Sequence, residues 1–581
     1  MRTTSSLLPF VRLPALVAAA ALLSAAPAQA DHPVFRFGAQ THFGQGWSLG
    51  VLPKLTGIAN LRDELYWQVV EPAPGSFSFP PYYDNYMAAL RNAGVEPLIT
   101  LSFENTGYDG GQTPYTPSGF AGYARYATEV LKRYGDQVPS VEIWNEYNGS
   151  FAKGPATSDR AGYYLKTLQA AYPAIKSARP GALVVGGATA GVPLPYFKKL
   201  FAAGALNYLD AVSIHPYRTT STPEGIEVQI AALRALMAEY GANKPIWVTE
   251  IGWPLHASQA PGDLNIDETV QAQFLVRAFV LLASAGVPRA YWYVARDENA
   301  HPGMGLVQNN AAFTAHPALA ALKVLNGQLR YATFDTRERT KPGVYSVKFT
   351  TPDKRELRVL WATSPVTVPV PPGATVTGML GEAIAPGNLT LGESPVYVTG
   401  LLPGLVGAET ARAELGSIAL ADSTAAFSLQ QGQFGWHYGY FVGDSTSFAE
   451  LAVPRVTDWK EEWGDRFVAI SITSVDQHPS KSGAQPVAAV RRWTSPVDGT
   501  VRINASFKVG LKGDGVRARI LVDGQVVQSA ALSPATSIAA AFSFTRSVHQ
   551  GSTVDFAVDP GPAVNIDFDA TQVSATIERA D

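Results

Sequence analysis

Two glutamates stand at the ends of short apolar runs, where a carboxylate could do chemistry. Glu146 closes the run Val141–Glu146, and Glu250 closes the run Ile246–Glu250. Two carboxylates on either side of a glycosidic bond can hydrolyse it, because one protonates the leaving oxygen while the other attacks the anomeric carbon or activates a water. A lone glutamate at a strand end is usually a solvated rim residue, so this prediction depends on the pair.

Eight apolar runs and the helical patterns between them give these glutamates a framework. The predicted helices are 82–93, 120–134, 163–178, 226–240 and 269–285, and Gly follows the last turn of four of them. Continuous apolar strands alternating with helices favour a closed parallel (β/α)₈ barrel, a TIM barrel of the α/β class. An open doubly wound sheet is the alternative, although no G-x-G-x-x-G follows the first strand. The predicted strands are 34–38, 60–65, 96–102, 140–144, 182–187, 211–215, 245–249 and 289–294.

The strand count predicts where the two glutamates lie. Strands four and seven end in Glu146 and Glu250, and the carboxyl ends of barrel strands face the active-site mouth. These strands lie on opposite sides of the mouth, so the side chains can converge on one sugar. Glu142 lies on the same side of its strand as Glu146 but about 13 Å lower, which excludes it as the acid.

Several segments resemble the clan A (β/α)₈ retaining glycosidases. The resemblance begins with Trp-Asn-Glu at 144–146 and Glu-x-Gly-Trp at 250–253. Residues 33–405 are similar to glycoside hydrolase family 39, in particular to its bacterial exopolysaccharide hydrolases, through 61–67, 213–217 and 291–293. The resemblance implies that Glu146 is the general acid/base and Glu250 the nucleophile of a retaining enzyme.

Neighbouring residues are candidates for substrate binding and for tuning the glutamates. An ionised nucleophile needs hydrogen-bond donors, which Arg62, at the carboxyl end of strand two, and Tyr217 can provide. Asn145 could bond the sugar 2-hydroxyl, and His215 could bond a hydroxyl or brace a carboxylate. Trp292 would form an apolar platform under the sugar ring.

Each of these residues also has a purely structural interpretation. Arg62 could pair with Asp63 or Glu64 on the surface, while His215 and Trp292 could fill the core. The candidates for outer subsites lie on predicted loops after strands: His42, Trp47, Glu104, Trp253 and Asp297.

The composition of the chain indicates which classes of binding partner and cofactor are not expected. The chain has 581 residues, a formal net charge of −3 and no cysteine, so neither a nucleic-acid partner nor disulfides are expected. The nine histidines are scattered and no H-E-x-x-H or G-x-S-x-G occurs, so no metal, other cofactor or serine-esterase site is predicted. Oligomeric state is not readable from the sequence.

The first thirty residues resemble an export signal. Arg2 and Arg12 carry positive charge ahead of the apolar run Leu13–Ala25, and Ala28–Ala30 is an A-x-A cleavage site. We expect cleavage after Ala30 and a secreted or periplasmic protein. A buried N-terminal helix is the alternative, and no segment is long and apolar enough for membrane insertion.

Two β-rich units are predicted after the barrel of residues 31–327. Period-two patterns indicate a small antiparallel β-domain over 328–405, with a hairpin at 343–362, and a β-sandwich or jelly roll over 406–581. The second unit loosely resembles jelly-roll modules of bacterial polysaccharide enzymes. Its aromatic residues could form a sugar-stacking face or the sandwich core: Trp436, Tyr438, Trp459, Trp463 and Trp493.

The combined expectation is a secreted retaining β-glycoside hydrolase that acts on a polysaccharide. The loop at 105–115, after strand three, bears on the mode of cleavage. That loop could wall a groove for endo cleavage, or close a pocket for an exo-acting β-glycosidase such as a β-xylosidase. A non-catalytic polysaccharide-binding or matrix protein built on a barrel is the alternative from a different functional class.

Overall fold

The structure is a computed structural model that describes residues 35–580, apart from 43–45, 220, 256–263, 339–343, 364, 371, 386, 401–418, 425, 430, 453, 457–460, 466–469, 511–512 and 535–538. The predicted export signal, its cleavage site after Ala30 and Trp459 lie outside the described residues. So does the predicted boundary at 405–406, and the domain limits stay a prediction.

Eight parallel strands close into a barrel in chain order, with β8 pairing back onto β1. The predicted (β/α)₈ fold is confirmed, and each observed strand overlaps its predicted apolar run. The strands are β1 Arg36–Gln40, β2 Asn60–Tyr66, β3 Glu96–Ser102, β4 Ser140–Ile143, β5 Leu183–Ala190, β6 Ala211–His215, β7 Ile246–Ile251 and β8 Arg289–Trp292.

Helices pack around the barrel, and three of them have an N-terminal cap formed by a side chain. Thr116, Asp159 and Asp267 each accept a hydrogen bond from the backbone N–H three residues later, which satisfies an otherwise unpaired donor of the first turn. In the described part of the chain, no helix has the length and apolar character that crossing a membrane requires. The helices are α1 Ser48–Val51, α2 Trp67–Val70, α3 Pro81–Asn92, α4 Pro117–Tyr134, α5 Arg160–Ala178, α6 Leu194–Ala202, α7 Ile226–Glu239, α8 Glu268–Ser284 and α9 Pro317–Leu329.

A small antiparallel β-domain follows α9. Six of its strands form one sheet and two form a ribbon. The predicted hairpin is β10 with β11, paired from Val344↔Ala362 to Thr350↔Glu356. The strands are β9 Thr333–Arg337, β10 Val344–Thr350, β11 Glu356–Ala362, β12 Val366–Val370, β13 Thr375–Gly378, β14 Ala383–Ile384, β15 Gly387–Leu391 and β16 Val396–Thr399.

The last unit consists of two antiparallel sheets around their own apolar core, as the fold prediction requires. Asp523 and Gly524 both have positive φ at the turn between β27 and β28, as a two-residue hairpin turn demands. The strands are β17 Ala419–Asp422, β18 Trp436–Val442, β19 Ala449–Glu450, β20 Pro454–Val456, β21 Glu461–Asp465, β22 Ile470–Ile472, β23 Asp476–His478, β24 Ser480–Ser482, β25 Gln485–Thr494, β26 Gly499–Val509, β27 Val516–Val522, β28 Gln525–Leu532, β29 Ala540–Val548, β30 Thr553–Asp559 and β31 Thr571–Arg579.

The aromatic residues of this sandwich are core residues. Trp436, Tyr438, Trp463 and Trp493 are all at most 3% exposed and belong to one apolar cluster. The idea that these four form a sugar-stacking face is therefore wrong, because a ring buried between two sheets cannot present its face to a ligand.

Candidate active site

Glu250 lies near the end of β7 with its carboxylate held by two donors. Its Oε1 accepts a hydrogen bond from Arg62 Nη1 at 2.6 Å, and its Oε2 accepts one from the Tyr217 hydroxyl at 2.9 Å. The register between β7 and β8 shifts between Val248 and Ile251. Because of this irregularity, Thr249 and Glu250 both reach residues of the barrel interior, which a regular strand with alternating side chains would not allow.

Glu146 follows the end of β4 and lies in the more open position. Its side chain is 20% exposed, against 8% for Glu250. Trp144 and Glu146 have φ values of 66° and 43°, a left-handed conformation that is uncommon for such residues. The Glu146 N–H donates to the carbonyl of Ala188 at 2.6 Å, which ties this segment to β5.

His215 ends β6 and connects the two glutamates. Its Nδ1 lies 3.0 Å from Glu146 Oε1 and 3.6 Å from Glu250 Oε2, and its Nε2 lies 3.1 Å from Thr249 Oγ1. The imidazole is fully buried. Of the roles predicted for His215, the geometry supports bracing a carboxylate.

Arg62 is fully buried below the mouth, so the alternative of a surface pair with Asp63 or Glu64 is wrong. It is the third residue of seven in β2 and not, as predicted, at the strand's carboxyl end. Its long side chain nevertheless reaches the mouth, where it donates to Glu250 and, at 3.0 Å, to Asn145 Oδ1. Burial acts to lower the pKa of Arg62, but the charges of Glu142 and Glu250 outweigh it and raise that pKa.

Glu142 anchors this arginine from below. Its Oε2 accepts hydrogen bonds from Arg62 Nε at 2.7 Å and from Thr100 Oγ1 at 2.9 Å, and the side chain has no exposed surface. Burial acts to raise the pKa of Glu142, yet the Arg62 charge holds it below its ordinary value. A charged Glu142 therefore fixes the guanidinium that pairs with Glu250.

The carboxylates of Glu146 and Glu250 converge. Three atoms, one oxygen from each carboxylate and one ring nitrogen of His215, all lie within 4.8 Å of one another. Such a set could coordinate a metal cation, but both Glu250 oxygens already accept hydrogen bonds from Arg62 and Tyr217. The arrangement instead suits two carboxyl groups facing one small reacting centre.

Trp292 and Trp253 do not line the mouth, which corrects two predictions. Both are fully buried and stack on each other with ring centroids 6.2 Å apart. Their indole N–H groups donate to backbone carbonyls, from Trp292 to Met304 and from Trp253 to Arg218 and Ser221. Side chains alternate along a strand, so Trp292 faces away from the barrel interior.

Tyr293, the residue after Trp292, lies beside the residues of the mouth instead. It is only partly buried, and its ring lies edge-on to His42 and Tyr217, with centroids 6.0 and 6.4 Å away. Burial first, and then the charge of Glu250, raise the pKa of Tyr293. The alternation of side chains from Tyr291 through Tyr293 was the signal that could have identified it.

The remaining candidates lie around this centre in different roles. His42 is 13% exposed between Glu64 and Glu298, each 3.7 Å away. Burial lowers the pKa of His42, but the interaction with Glu64 outweighs it and raises the value to about 9. Glu104 pairs with Lys153.

Trp47 and Asp297 serve the structure of the loops. Trp47 is buried beneath the Arg296 guanidinium, 4.5 Å from its ring centroid. Asp297 accepts hydrogen bonds from the Gly305 N–H at 2.7 Å and from His316 Nε2 at 2.9 Å. These contacts give both side chains a structural role in the loops, and the outer-subsite role of these two residues stays a prediction.

Residues 128–318 match the family model of a glycosyl hydrolase catalytic core, and this segment contains both glutamates. Among solved structures, a family 39 glycoside hydrolase from the gut symbiont Bacteroides cellulosilyticus WH2 is similar at 22% identity and a TM-score of 0.55, over 64% of this chain and 81% of that one. A GH39 β-xylosidase from Caulobacter crescentus is 18% identical with a TM-score of 0.47, over 65% and 98%. At 22% identity the likeness to the Bacteroides enzyme supports the fold alone, and no curated protein matches the sequence.

Proposed function

We propose that the barrel is the catalytic core of a retaining β-glycoside hydrolase, with Glu250 as nucleophile and Glu146 as general acid/base. The observation that carries the proposal is the approach of their carboxylate oxygens to within 4.8 Å. Retaining glycosidases hold their carboxyl groups about 5–5.5 Å apart, whereas inverting ones leave about 6.5–9.5 Å for a water.

The reaction proceeds in two displacements. Protonated Glu146 gives its proton to the glycosidic oxygen as the Glu250 carboxylate bonds to the anomeric carbon, and the leaving sugar departs as an alcohol. Ionised Glu146 then takes a proton from water, whose oxygen bonds to the anomeric carbon and releases Glu250. Each step inverts the anomeric centre, so the product keeps the configuration of the substrate.

The surroundings of the two glutamates suit these different roles. Glu250 accepts hydrogen bonds from a guanidinium and a phenol, and both stabilise an ionised carboxylate. Burial raises the pKa of Tyr217 well above its ordinary value, which keeps its hydroxyl proton available as a donor. Asn145 accepts from Arg62 through Oδ1, so its amide N–H groups can donate to the sugar 2-hydroxyl.

A polymeric substrate is supported by a cleft that Tyr217, the phenol that donates to Glu250, helps to line. This cleft of about 620 Å³ is lined by barrel loops on one side and by the sandwich on the other, including Asn148, Asp159, Tyr217, Thr473 and Asp476. A volume in this range suits a ligand of several rings. We therefore favour endo cleavage of a polysaccharide, with bacterial exopolysaccharide as the class that the sequence resemblance suggests.

Substitution of the glutamates tests the assignment. On a panel of polysaccharides and aryl β-glycosides, Glu250→Gln should remove nearly all turnover while circular dichroism and melting stay close to wild type. Glu146→Ala should retain turnover of aryl glycosides with good leaving groups and be accelerated by azide, which replaces the missing base with an anion. Substantial turnover by Glu250→Gln, or indifference of Glu146→Ala to azide, would defeat the proposed roles.

The same panel distinguishes the alternatives. Release of reducing ends throughout a polymer, with a rapid fall in viscosity, supports endo action, whereas single sugars released from chain ends support an exo-acting β-glycosidase. Tight polymer binding without reducing ends, unchanged in both glutamate variants, would indicate a binding or matrix protein. Export, proposed from residues 1–30, is tested by locating the mature protein and sequencing its N-terminus.

A further inference from the structure

Asp569 is a buried carboxylate in the sandwich, far along the chain from the proposed catalytic pair. It lies on the connection between β30 and β31 and has no exposed surface. Neither of its carboxylate oxygens has a hydrogen-bond partner within the described part of the chain. Burying a charge without a partner is costly, so this carboxylate calls for a positive ligand.

Other oxygens converge on the same small space beside Gly513. The point where a Cβ of residue 513 would stand lies 2.9 Å from the Asp567 carbonyl oxygen, 3.2 Å from Asp569 Oδ1 and 3.5 Å from the Phe568 carbonyl oxygen. Gly513 has a φ of +100°, which side chains rarely tolerate. The glycine therefore keeps open a cradle lined by three oxygens.

The charges around the cradle are negative. Burial, followed by the charges of Asp514 and Asp567, raises the pKa of Asp569 to about 7. Asn565 Nδ2 donates to Asp514 Oδ1 at 3.2 Å, which holds this carboxylate at the edge of the cradle. Carboxylate and carbonyl oxygens are hard ligands of the kind that Ca²⁺ prefers.

We propose that Asp569, with the carbonyl oxygens of Asp567 and Phe568, binds one calcium ion in this cradle, assisted by Asp514. Calcium suits the set better than magnesium, because Ca²⁺ accepts 6–8 oxygens in irregular geometry and Mg²⁺ demands a near-ideal octahedron. Water would complete the shell.

The position gives the ion a structural purpose. Gly513 and Asp514 lie on the connection from β26 to β27, and Asp569 lies on that from β30 to β31. Strands β26 and β31 are paired in one sheet, while β27 and β30 are paired in the other. A cation in the cradle therefore clasps two connections that both cross between the sheets, and stabilises the sandwich.

Calorimetry on the full-length protein, stripped with EDTA and dialysed, tests the site with CaCl₂ as the probe. We expect one Ca²⁺ per chain with a Kd of about 10⁻³ M or tighter, a rise in Tm and a much smaller response to MgCl₂. Asp569→Asn should weaken Ca²⁺ binding about tenfold or more and lose the rise in Tm. In EDTA it should melt no lower than wild type, since it removes a buried unpaired charge.

Three further variants keep the result interpretable. Asp514→Asn should weaken binding less than Asp569→Asn, and Asp444→Asn, whose side chain is 90% exposed in the same sandwich, should bind like wild type. Glu250→Gln should also bind like wild type, which separates this site from the carboxylates of the barrel mouth. Absence of Ca²⁺ binding by wild type, or binding that survives Asp569→Asn but is lost in Glu250→Gln, would overturn the proposal.

Discussion

Two arginines without exposed surface, Arg62 in the barrel and Arg491 in the sandwich, are held in opposite ways. Arg62 donates to the carboxylates of Glu142 and Glu250 and to two amide oxygens, those of Gln40 and Asn145. Arg491 donates to the Gln477 amide oxygen and otherwise to backbone carbonyls, those of Thr473 at 2.8 Å and of Ser423, Ser474 and Asp476 at 3.0–3.2 Å.

This difference separates a guanidinium placed for chemistry from one placed for structure. Burial lowers the pKa of Arg491 to about 10, because the nearby anionic groups do not compensate. At Arg62 the carboxylate charges reverse the effect of burial. In the barrel, the buried Arg62 pairs with Glu250, whose carboxylate faces the mouth. In the sandwich, Arg491 donates to neutral backbone carbonyls and so holds the surrounding loops together.

The largest effect is expected from Arg62→Met. It removes a donor from Glu250 and leaves Glu142 buried without its cation, so kcat/KM should fall about 10³-fold and the barrel should lose about 3–5 kcal/mol. Arg62→Lys keeps the charge but not the planar fork and should recover stability more than activity. Initial rates and melting curves measure both, and activity of Arg62→Met within tenfold of wild type would break the comparison.

Arg491→Met should affect stability alone. Several buried carbonyls lose their donor, which costs about 1–3 kcal/mol for each one left unsatisfied, so the melting transition of the sandwich should move to lower temperature. Turnover of a small aryl glycoside, which needs only the barrel mouth, should stay near wild type. A parallel loss of that turnover would show that the sandwich arginine matters to the chemistry.

Tyr217→Phe sharpens the assignment of donors to Glu250. The variant removes one of the two hydrogen bonds to that carboxylate while keeping the ring, so kcat should fall about 10- to 100-fold, less than for Arg62→Met. Tyr331→Phe, at a ring that is 60% exposed, is the matched control. Equal rates for Tyr217→Phe and wild type would remove the phenol from the mechanism.

The smallest effect concerns Glu578, a buried acid beside Tyr345, Glu224 and Glu227. Burial, followed by the charge of Glu224, raises the pKa of Glu578 to about 7 from an ordinary 4.5. An acid with a raised folded-state pKa stabilises the fold below pH 4.5, and this contribution is lost as the pH rises through about 7. Glu578→Gln should flatten most of that decline, measured by denaturant unfolding across this range. An unchanged pH profile would exclude Glu578 as its source.

The barrel could be predicted from the sequence because its strands are continuous apolar runs, two of which end at the candidate catalytic glutamates. Glu146 and Glu250 could be selected from their positions at the carboxyl ends of strands four and seven. The positions of Trp292 and Trp253 depend on which side of a strand or loop each ring takes, and an aromatic ring suits core and cleft equally well. Asp569 could not be found from sequence, because its proposed partners are backbone carbonyls that only the folded turns bring together.

The most direct test of the central claim is the configuration of the first product. Proton NMR of the anomeric centre, recorded within minutes of adding enzyme to a β-linked substrate selected from the panel, distinguishes the two mechanisms before mutarotation. If Glu250 attacks the anomeric carbon and Glu146 then delivers water, the β-anomer appears first and the α-anomer grows in later. Initial appearance of the α-anomer would mean a single displacement by water and would contradict the assignment of Glu250 as nucleophile.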